Sequence, residues 1–301
     1  MERVIVTGAN GFIGRNFIKY LAENDTEVYA VDMSHEKSIL RELSHVHLVE
    51  CSLAEIMALE DKINQKGFDA FYHFAWAGTT GKDRSDYMLQ TDNARYACDA
   101  AIVSKKLGCQ KFIATGTITE KVAERILDNH YASENLIYGL SKLYAHKLLD
   151  IVCRKNSIDY VWAQLSNIFG GDNTNGNLVS YTLKEFKEGR VPSYGPCEQP
   201  YNFTYIRDVL KALYLLGECK TSEHQYLISN GECMKLKDYL NELGSIYNQQ
   251  ISIGKREDDG VRYEEEWFDN TALISVGFKP EYTFVRGIEE IRGEGQSDTE
   301  I

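Results

Sequence analysis

Three glycines, Gly8, Gly11 and Gly14, stand three residues apart, directly behind the apolar run Val4-Ile5-Val6 and at the head of a helix-like pattern. Few folds accept the stretch Thr7-Gly8-Ala9-Asn10-Gly11-Phe12-Ile13-Gly14. A strand must turn sharply into a helix. Gly8 permits the tight turn, Gly11 lets backbone approach a pyrophosphate, and Gly14 lets the helix lie close to the strand. The helix N-terminus then presents free N–H groups and a partial positive charge to an anion. Asn10, Phe12 and Ile13 share this turn and count with its glycines as cofactor contacts. Glycine spacing alone is weak evidence, and a second feature gives it weight. Glu27-Val28-Tyr29-Ala30-Val31-Asp32 reads as a second strand ending in an acid 18 residues after Gly14. An acid there accepts hydrogen bonds from both hydroxyls of an adenosine ribose and repels a 2′-phosphate, which favours NAD over NADP. His35 and Lys37 follow closely and are placed to meet a 2′-phosphate if Asp32 turns aside, which keeps NADP open.

Strand and helix patterns alternate through the first half. Strands are expected at Arg3–Thr7, Glu27–Asp32, Val46–Cys51, Ala70–Ala75, Lys111–Thr115 and Tyr160–Leu165. Helices are expected at Phe12–Ala22, Ala54–Gln65, Tyr87–Leu107 and Ile137–Arg154. Such alternation predicts an α/β fold, a doubly wound parallel Rossmann sheet. The rhythm changes after Asn167. Gly170–Asn177 is turn-forming, Pro192, Pro196 and Pro200 crowd the following loop, and helical patterns resume at Arg207–Leu216, Leu236–Tyr247 and Phe284–Arg292. The expected organisation is a dinucleotide-binding domain over residues 1–168 and a smaller, mixed C-terminal substrate lobe over 169–301. Elements around 204–230 are expected to return to the first domain. The polar end beyond Arg292 is expected to fray.

The net charge of −12 argues against a general nucleic-acid surface, which needs phosphate-neutralising Lys and Arg. It leaves room for a small anionic ligand held by the glycine turn. Seven cysteines, an odd number with no Cys-x-x-Cys pair, read as reduced thiols. His45 and His47 flank Val46 on an expected strand and read as one polar strand face rather than a metal site. No apolar run approaches the ~20 residues that span a bilayer. The first strand begins at once and leaves no room for a signal peptide. The expectation is a soluble, cytoplasmic protein without a metal.

Two further groups bear on chemistry. Tyr138 and Lys142 are four apart on an expected helix, hence on one face. A free tyrosine has a pKa of about 10, and a nearby ammonium favours the phenolate. Lys142 is also placed to hold a nicotinamide ribose. The fifth strand ends Thr115-Gly116-Thr117-Ile118-Thr119-Glu120. Hydroxyls past a strand's C-terminal edge lie where open α/β sheets bind ligands, and a threonine there can orient a substrate oxygen toward Tyr138.

In combination these residues resemble the extended short-chain dehydrogenase/reductases, in their branch of NAD-dependent nucleotide-sugar epimerases and dehydratases. The resemblance runs from Arg3 to about Arg292. Its most specific parts are the glycine turn, Asp32, and Tyr138 with Lys142. His73-Phe74-Ala75 matches the strand end near the cofactor, and Asn93 falls where the family usually has an Asn. Ser166-Asn167-Ile168-Phe169-Gly170 looks like the Asn-x-Tyr-Gly turn that reaches the substrate diphosphate, and Asn177-Leu178 like the start of the segment gripping the nucleotide. Asn202–Val209 looks like the family's Arg-Asp-Phe-x-x-Val-x-Asp-Val stretch, with Arg207 inside it.

The resemblance implies that Tyr138 exchanges a proton with a sugar oxygen while a hydride passes between the sugar carbon, C4, and the nicotinamide. It implies that Thr117 is the hydroxyl donor (Thr115 being the substitute) and that Lys142 tunes Tyr138 and binds ribose. It also implies a homodimer through the two long helices. Three departures stand out. Ile118 and Thr119 replace the Asp-Glu pair that follows the catalytic Thr in 4,6-dehydratases, which argues against dehydration. Tyr201-Asn202 stands where many epimerases carry a phosphate-binding Arg. Cys51-Ser52-Leu53 replaces the usual Asp-Ile or Asp-Leu pair near adenine, although Ser52 can still accept a hydrogen bond. The readings that follow are a nucleotide-sugar C4 epimerase, a reductase of a nucleotide-linked 4-keto-6-deoxysugar, or a non-catalytic dinucleotide-sensing protein.

Overall fold

The computed structural model describes residues 1–129, 136–173, 177–258 and 260–297, so Thr174-Asn175-Gly176 of the expected turn stretch lie outside the described residues. The chain forms two compact units. One is Met1–Gln164 with Ala212–Tyr226, the other Leu165–Lys211 with Leu227–Ile301. In chain order the elements are β1 (Arg3–Thr7), α1 (Phe12–Glu23), β2 (Glu27–Asp32), β3 (Val46–Glu50), α2 (Leu59–Lys62), β4 (Ala70–His73), α3 (Tyr87–Lys106), β5 (Lys111–Thr117), α4 (Thr119–Asn129), α5 (Ile137–Lys155) and β6 (Tyr160–Leu165). There follow β7 (Asn167–Phe169), α6 (Leu178–Lys187), β8 (Pro200–Tyr201), β9 (Phe203–Tyr205), α7 (Ile206–Glu218), β10 (Gln225–Ile228), β11 (Met234–Lys235), α8 (Leu236–Tyr247), α9 (Thr271–Ser275) and α10 (Phe284–Ser297).

The main sheet has seven strands in the order β10-β6-β5-β4-β1-β2-β3. β1 pairs in parallel with both β2 and β4, β2 with β3, and β4 with β5. The chain therefore reverses its direction of travel across the sheet at β1, and open α/β sheets bind ligands at the C-terminal strand ends beside such a switch. β1 forms because Val4, Ile5 and Val6 are wholly buried between the helical layers, the reason a central parallel strand reads as a continuous apolar run. Beneath one face, Phe71, Phe112 and Trp162 pack against Ala94, Ala97, Ala100 and Ala101 of α3 and Ala145 and Leu149 of α5. The small alanines let α3 lie close to the strands. Asp86 caps α3 by accepting the Met88 and Leu89 N–H groups, and Lys105 and Lys106 sit in its last turn, each a favourable end charge.

In the second unit β7 and β9 pair in parallel and β8 and β11 antiparallel. Its core gathers Phe169, Phe203, Tyr205, Tyr239 and Phe284. Gly287 lets α10 approach this core, since a Cβ there would stand 2.6 Å from the Phe169 ring.

Several expectations are corrected. The helix expected over Ala54–Gln65 is a 3-10 turn, Leu53–Ala58, followed by the short α2. Asn64-Gln65-Lys66-Gly67 is exposed and has no apolar face to bury. Helices α4 and α6 were not foreseen. α10 continues to Ser297 instead of fraying at Arg292. His45 precedes β3 in the left-handed region (φ 61°) and shares no strand face with His47, whose ring Nε2 lies 2.9 Å from Glu27 Oε1. Among the described residues no disulfide forms, and no helix is long and apolar enough to cross a membrane.

Candidate active site

The glycine turn connects β1 to α1. Gly8 adopts φ +71°, and a Cβ on it would lie 2.7 Å from the Ala75 nitrogen. A Cβ on Gly14 would fall 2.0 Å from the Gly8 carbonyl oxygen, so the helix could not approach the strand with any side chain there. Gly11 donates its N–H to that same carbonyl at 3.0 Å. Gly11 is the N-cap of α1, with no side-chain cap and no acid in the first turn. The first N–H groups of α1 therefore lack an internal partner and present a positive end to an anion. These features fit a dinucleotide pyrophosphate.

Asp32 ends β2 next to this turn. Its Oδ2 accepts the Asn10 N–H at 2.8 Å and its Oδ1 accepts the Met33 N–H at 2.8 Å. The carboxylate is thus fixed in direction. Its own carbonyl accepts the Cys51 N–H at 2.8 Å, which brings Ser52 and Leu53 to the same edge, where Ser52 is the N-cap of the 3-10 turn. His35 is not placed to meet a phosphate. It is buried, its Nε2 lies 3.2 Å from the Val49 carbonyl, and its N–H donates to Glu50. Lys37 is exposed.

Beyond β4, the Phe74 ring turns inward onto Phe17, 5.6 Å between centroids, and the Ala75 backbone lines the turn. The Thr7 hydroxyl bonds His73 Nδ1 at 2.9 Å. His73 Nε2 is buried without a hydrogen-bond partner among the described residues. Burial, with the Lys142 charge second, pushes this imidazole down to about 3, so the ring is neutral at physiological pH. Asn93 is buried on α3 and clamps the following loop, its Oδ1 accepting the Ala77 N–H at 3.0 Å and its Nδ2 donating to the Ala77 carbonyl at 2.9 Å.

Thr117, Tyr138 and Lys142 come together at the ends of β5 and α5. The Lys142 ammonium donates to the Thr115 carbonyl at 2.8 Å and stands 3.8 Å from the Trp76 ring centroid. Tyr138 and Lys142 are almost fully buried, at 8% and 4% exposure. Burial drives their pKa values in opposite senses. Tyr138 is pushed up to about 12, although Arg84 and a hydrogen bond with Thr117 favour its phenolate. Lys142 is pulled down to about 7, chiefly by burial, while Glu120 favours its charged form.

Three neighbours of this group escaped sequence reasoning. Arg84 lies over the Tyr138 ring, 3.9 Å to the centroid, with Nη1 donating to the Thr79 carbonyl at 2.9 Å. Trp76 packs edge-on to Tyr138. Glu120 is 1% exposed. Its Oε1 accepts the Thr117 N–H at 2.6 Å, and its Oε2 accepts Trp162 Nε1–H at 3.0 Å and Gln164 Nε2–H at 3.3 Å. His146, stacked on Trp162, stands 3.5 Å from the same oxygen. The signal for Glu120 was an acid closing a hydroxyl-rich strand end. Arg84 left none beyond its charge.

In the second unit, Asn177 caps α6, accepting the Ser180 N–H at 2.8 Å and donating to the Ile168 carbonyl at 2.9 Å. Leu178 is the first residue of that helix. Asn167 donates to the Asn202 carbonyl at 3.1 Å. Asn202 is wholly buried, donating from Nδ2 to Asn230 Oδ1 and the Glu232 carbonyl. Arg207 contacts Tyr282 and Glu290.

The model of the NAD dependent epimerase/dehydratase family matches residues 4–229. The chain belongs to that family. Among curated relatives of this epimerase/dehydratase chain, dTDP-4-dehydro-6-deoxyglucose reductase of Escherichia coli is 22% identical over 96% of both chains. A putative UDP-glucose 4-epimerase of Methanocaldococcus jannaschii is also 22% identical over 96% of both. The fold is that of the UDP-glucose 4-epimerase of Thermotoga maritima, solved with UDP-glucose (TM-score 0.82, 19% identity, 99% of this chain and 100% of that one).

Proposed function

We propose that this epimerase/dehydratase family member is a nucleotide-sugar epimerase that acts at C4 through a transient 4-keto sugar. The observation that carries the reading is the grouping of the Thr117 hydroxyl, the Tyr138 phenol and the Lys142 ammonium in the unit that also holds the glycine turn and Asp32. We assign Gly8, Asn10, Gly11, Phe12, Ile13, Gly14, Asp32, Ser52, Leu53, Phe74, Ala75 and Asn93 to NAD, together with Tyr138 and Lys142. Bound NAD supplies a hydride acceptor and donor. Tyr138 takes the proton of the sugar hydroxyl during oxidation and returns it afterwards. Thr117 orients the oxygen, and Lys142 lowers the cost of the phenolate. We assign Asn167, Asn177, Leu178 and Arg207 of the second unit to the substrate's nucleotide portion. The fixed Asp32 carboxylate supports NAD, and a cofactor regenerated in every cycle suits an epimerase.

One observation favours a second reading, reduction of a nucleotide-linked 4-keto-6-deoxysugar. Tyr201-Asn202 stands where the resemblance places the phosphate-binding Arg, Asn202 is tied down by Asn230 and Glu232, and the Escherichia coli relative carries a reductase name. Both readings use the same Thr, Tyr and Lys.

The test is to incubate the purified protein with UDP-glucose and separate UDP-galactose by chromatography, and in parallel to follow NADH and NADPH oxidation with a nucleotide-linked 4-keto-6-deoxyhexose. Interconversion without added reductant supports the epimerase. Reductant consumption without interconversion replaces it with the reductase. NAD binding with no turnover on a wide sugar-nucleotide panel replaces both with a sensing protein. In either enzyme Tyr138→Phe lowers turnover by roughly 10²–10⁴-fold with an unchanged circular dichroism spectrum. Normal activity in that variant removes Tyr138 from the chemistry.

A further inference from the structure

The Lys142 ammonium is held away from the Tyr138 ring. It donates to the Thr115 carbonyl, lies against Trp76 at 3.8 Å, and stands 6.0 Å from the Tyr138 ring centroid. Arg84 is nearer, its guanidinium carbon 3.9 Å from that centroid and its Nη1 anchored on the Thr79 carbonyl. The charged groups bearing on Tyr138 are Arg84 from the loop after β4, Lys142 on its own helix, and Glu120 from the start of α4. Glu120 disfavours the phenolate, and Arg84 favours it by its charge and by a hydrogen bond.

The two cations differ in kind. A buried lysine loses its proton readily, whereas a guanidinium stays protonated throughout the biological pH range. Lys142 is pulled down to about 7 by burial, so near neutrality its ammonium is present for only part of the time. Arg84 is a permanent charge.

We propose that Arg84 is a positioning residue for Tyr138, a cation anchored over the phenol ring that supplies electrostatic support for its phenolate. This inference rests on Tyr138 being the proton-transfer group. It assigns the loop after β4 a part in the chemistry that the Tyr–Lys spacing does not contain.

The test needs no substrate. 3,5-Difluorotyrosine is placed at position 138 of the full-length chain, since fluorination acidifies the phenol and brings its ionisation into a range the fold tolerates. The ¹⁹F resonance is then titrated against pH in the presence of NAD⁺. Arg84→Met and Arg84→Gln raise the midpoint by about one pH unit, leaving about tenfold less phenolate at any pH below it. Arg84→Lys, which keeps a charge at the site, stays near the parent value. Superimposable curves for the parent and both neutral variants overturn the proposal, even where Tyr138→Phe has confirmed the role of the phenol. A midpoint raised equally by Arg84→Lys and Arg84→Met also overturns it, because loss of shape rather than charge is then responsible.

Discussion

Glu120 Oε1 accepts the Thr117 backbone N–H at 2.6 Å. The hydroxyl-bearing residue of the site is thus seated on a buried carboxylate whose other oxygen holds Trp162 and Gln164. Replacing Glu120 by Ala leaves two buried donors and one part-buried donor without their acceptor, and one buried donor costs about 1–3 kcal/mol. Glu120→Ala is expected to destabilise the protein by at least ~3 kcal/mol, measured by denaturant unfolding, and to slow turnover. An unfolding curve coincident with the parent's would show that the carboxylate supports nothing.

Cofactor choice follows from the two backbone N–H groups that fix Asp32. Asp32→Ala removes the ribose acceptor and the repulsion toward a 2′-phosphate together. A charged hydrogen bond is worth about 1.5–3 kcal/mol, so NAD affinity is expected to fall by roughly 10–100-fold and the NAD:NADP ratio to narrow. Calorimetric titration with both dinucleotides reads this directly, and an unchanged ratio would remove Asp32 from recognition.

The lowered pKa of Lys142 has a signed consequence for stability. Its folded value is about 7, and an ordinary lysine's is 10.5. Between those values the unfolded chain binds more protons, so the Lys142 contribution to stability rises with pH across that window. Its penalty is complete below about pH 7. Tyr138, raised to about 12 from 10, acts in the opposite sense above pH 10. Lys142→Met is therefore expected to be inactive yet about 1 kcal/mol more stable near pH 7, with a flatter stability profile between pH 7 and 9. Urea unfolding at several pH values checks both features. A variant less stable at pH 7, with the parent's slope, would contradict the burial argument.

Association is expected through α3 and α5. Leu140, Tyr144 and Ile151 are exposed by 41%, 52% and 66%, and Tyr87 and Met88 at the head of α3 by 68% and 64%. At about 100° per residue the three α5 side chains fall within roughly 40° of one line along the helix, an apolar stripe, interrupted by exposed Lys147, that suits a two-fold partner. Sedimentation is expected to give a dimer, and Ile151→Glu a shift toward monomer. A monomeric parent would remove the interface.

The parallel sheet was legible because buried central strands such as Val4-Ile5-Val6 leave no choice of period, and the glycine turn because nothing but glycine meets its spacing. What stayed hidden has specific causes. In Thr119-Glu120-Lys121-Val122-Ala123, the hydroxyl and the acid read as part of the site at the strand end and masked the apolar spacing that starts α4. α6 follows a turn-rich stretch, and its cap, Asn177, looked like a ligand contact instead of a helix start. The grouping of Arg84, Trp76 and Glu120 around Tyr138 depends on a loop and two strand ends distant in sequence, which no local pattern joins.

Two of the three tryptophans in the chain flank one ammonium. Trp76 is 3.8 Å and Trp162 5.9 Å, ring centroid to Lys142 Nζ. Indole emission is quenched by a protonated amine and restored when the proton leaves. The site thus carries its own optical reporter of the Lys142 proton, one that needs no labelling.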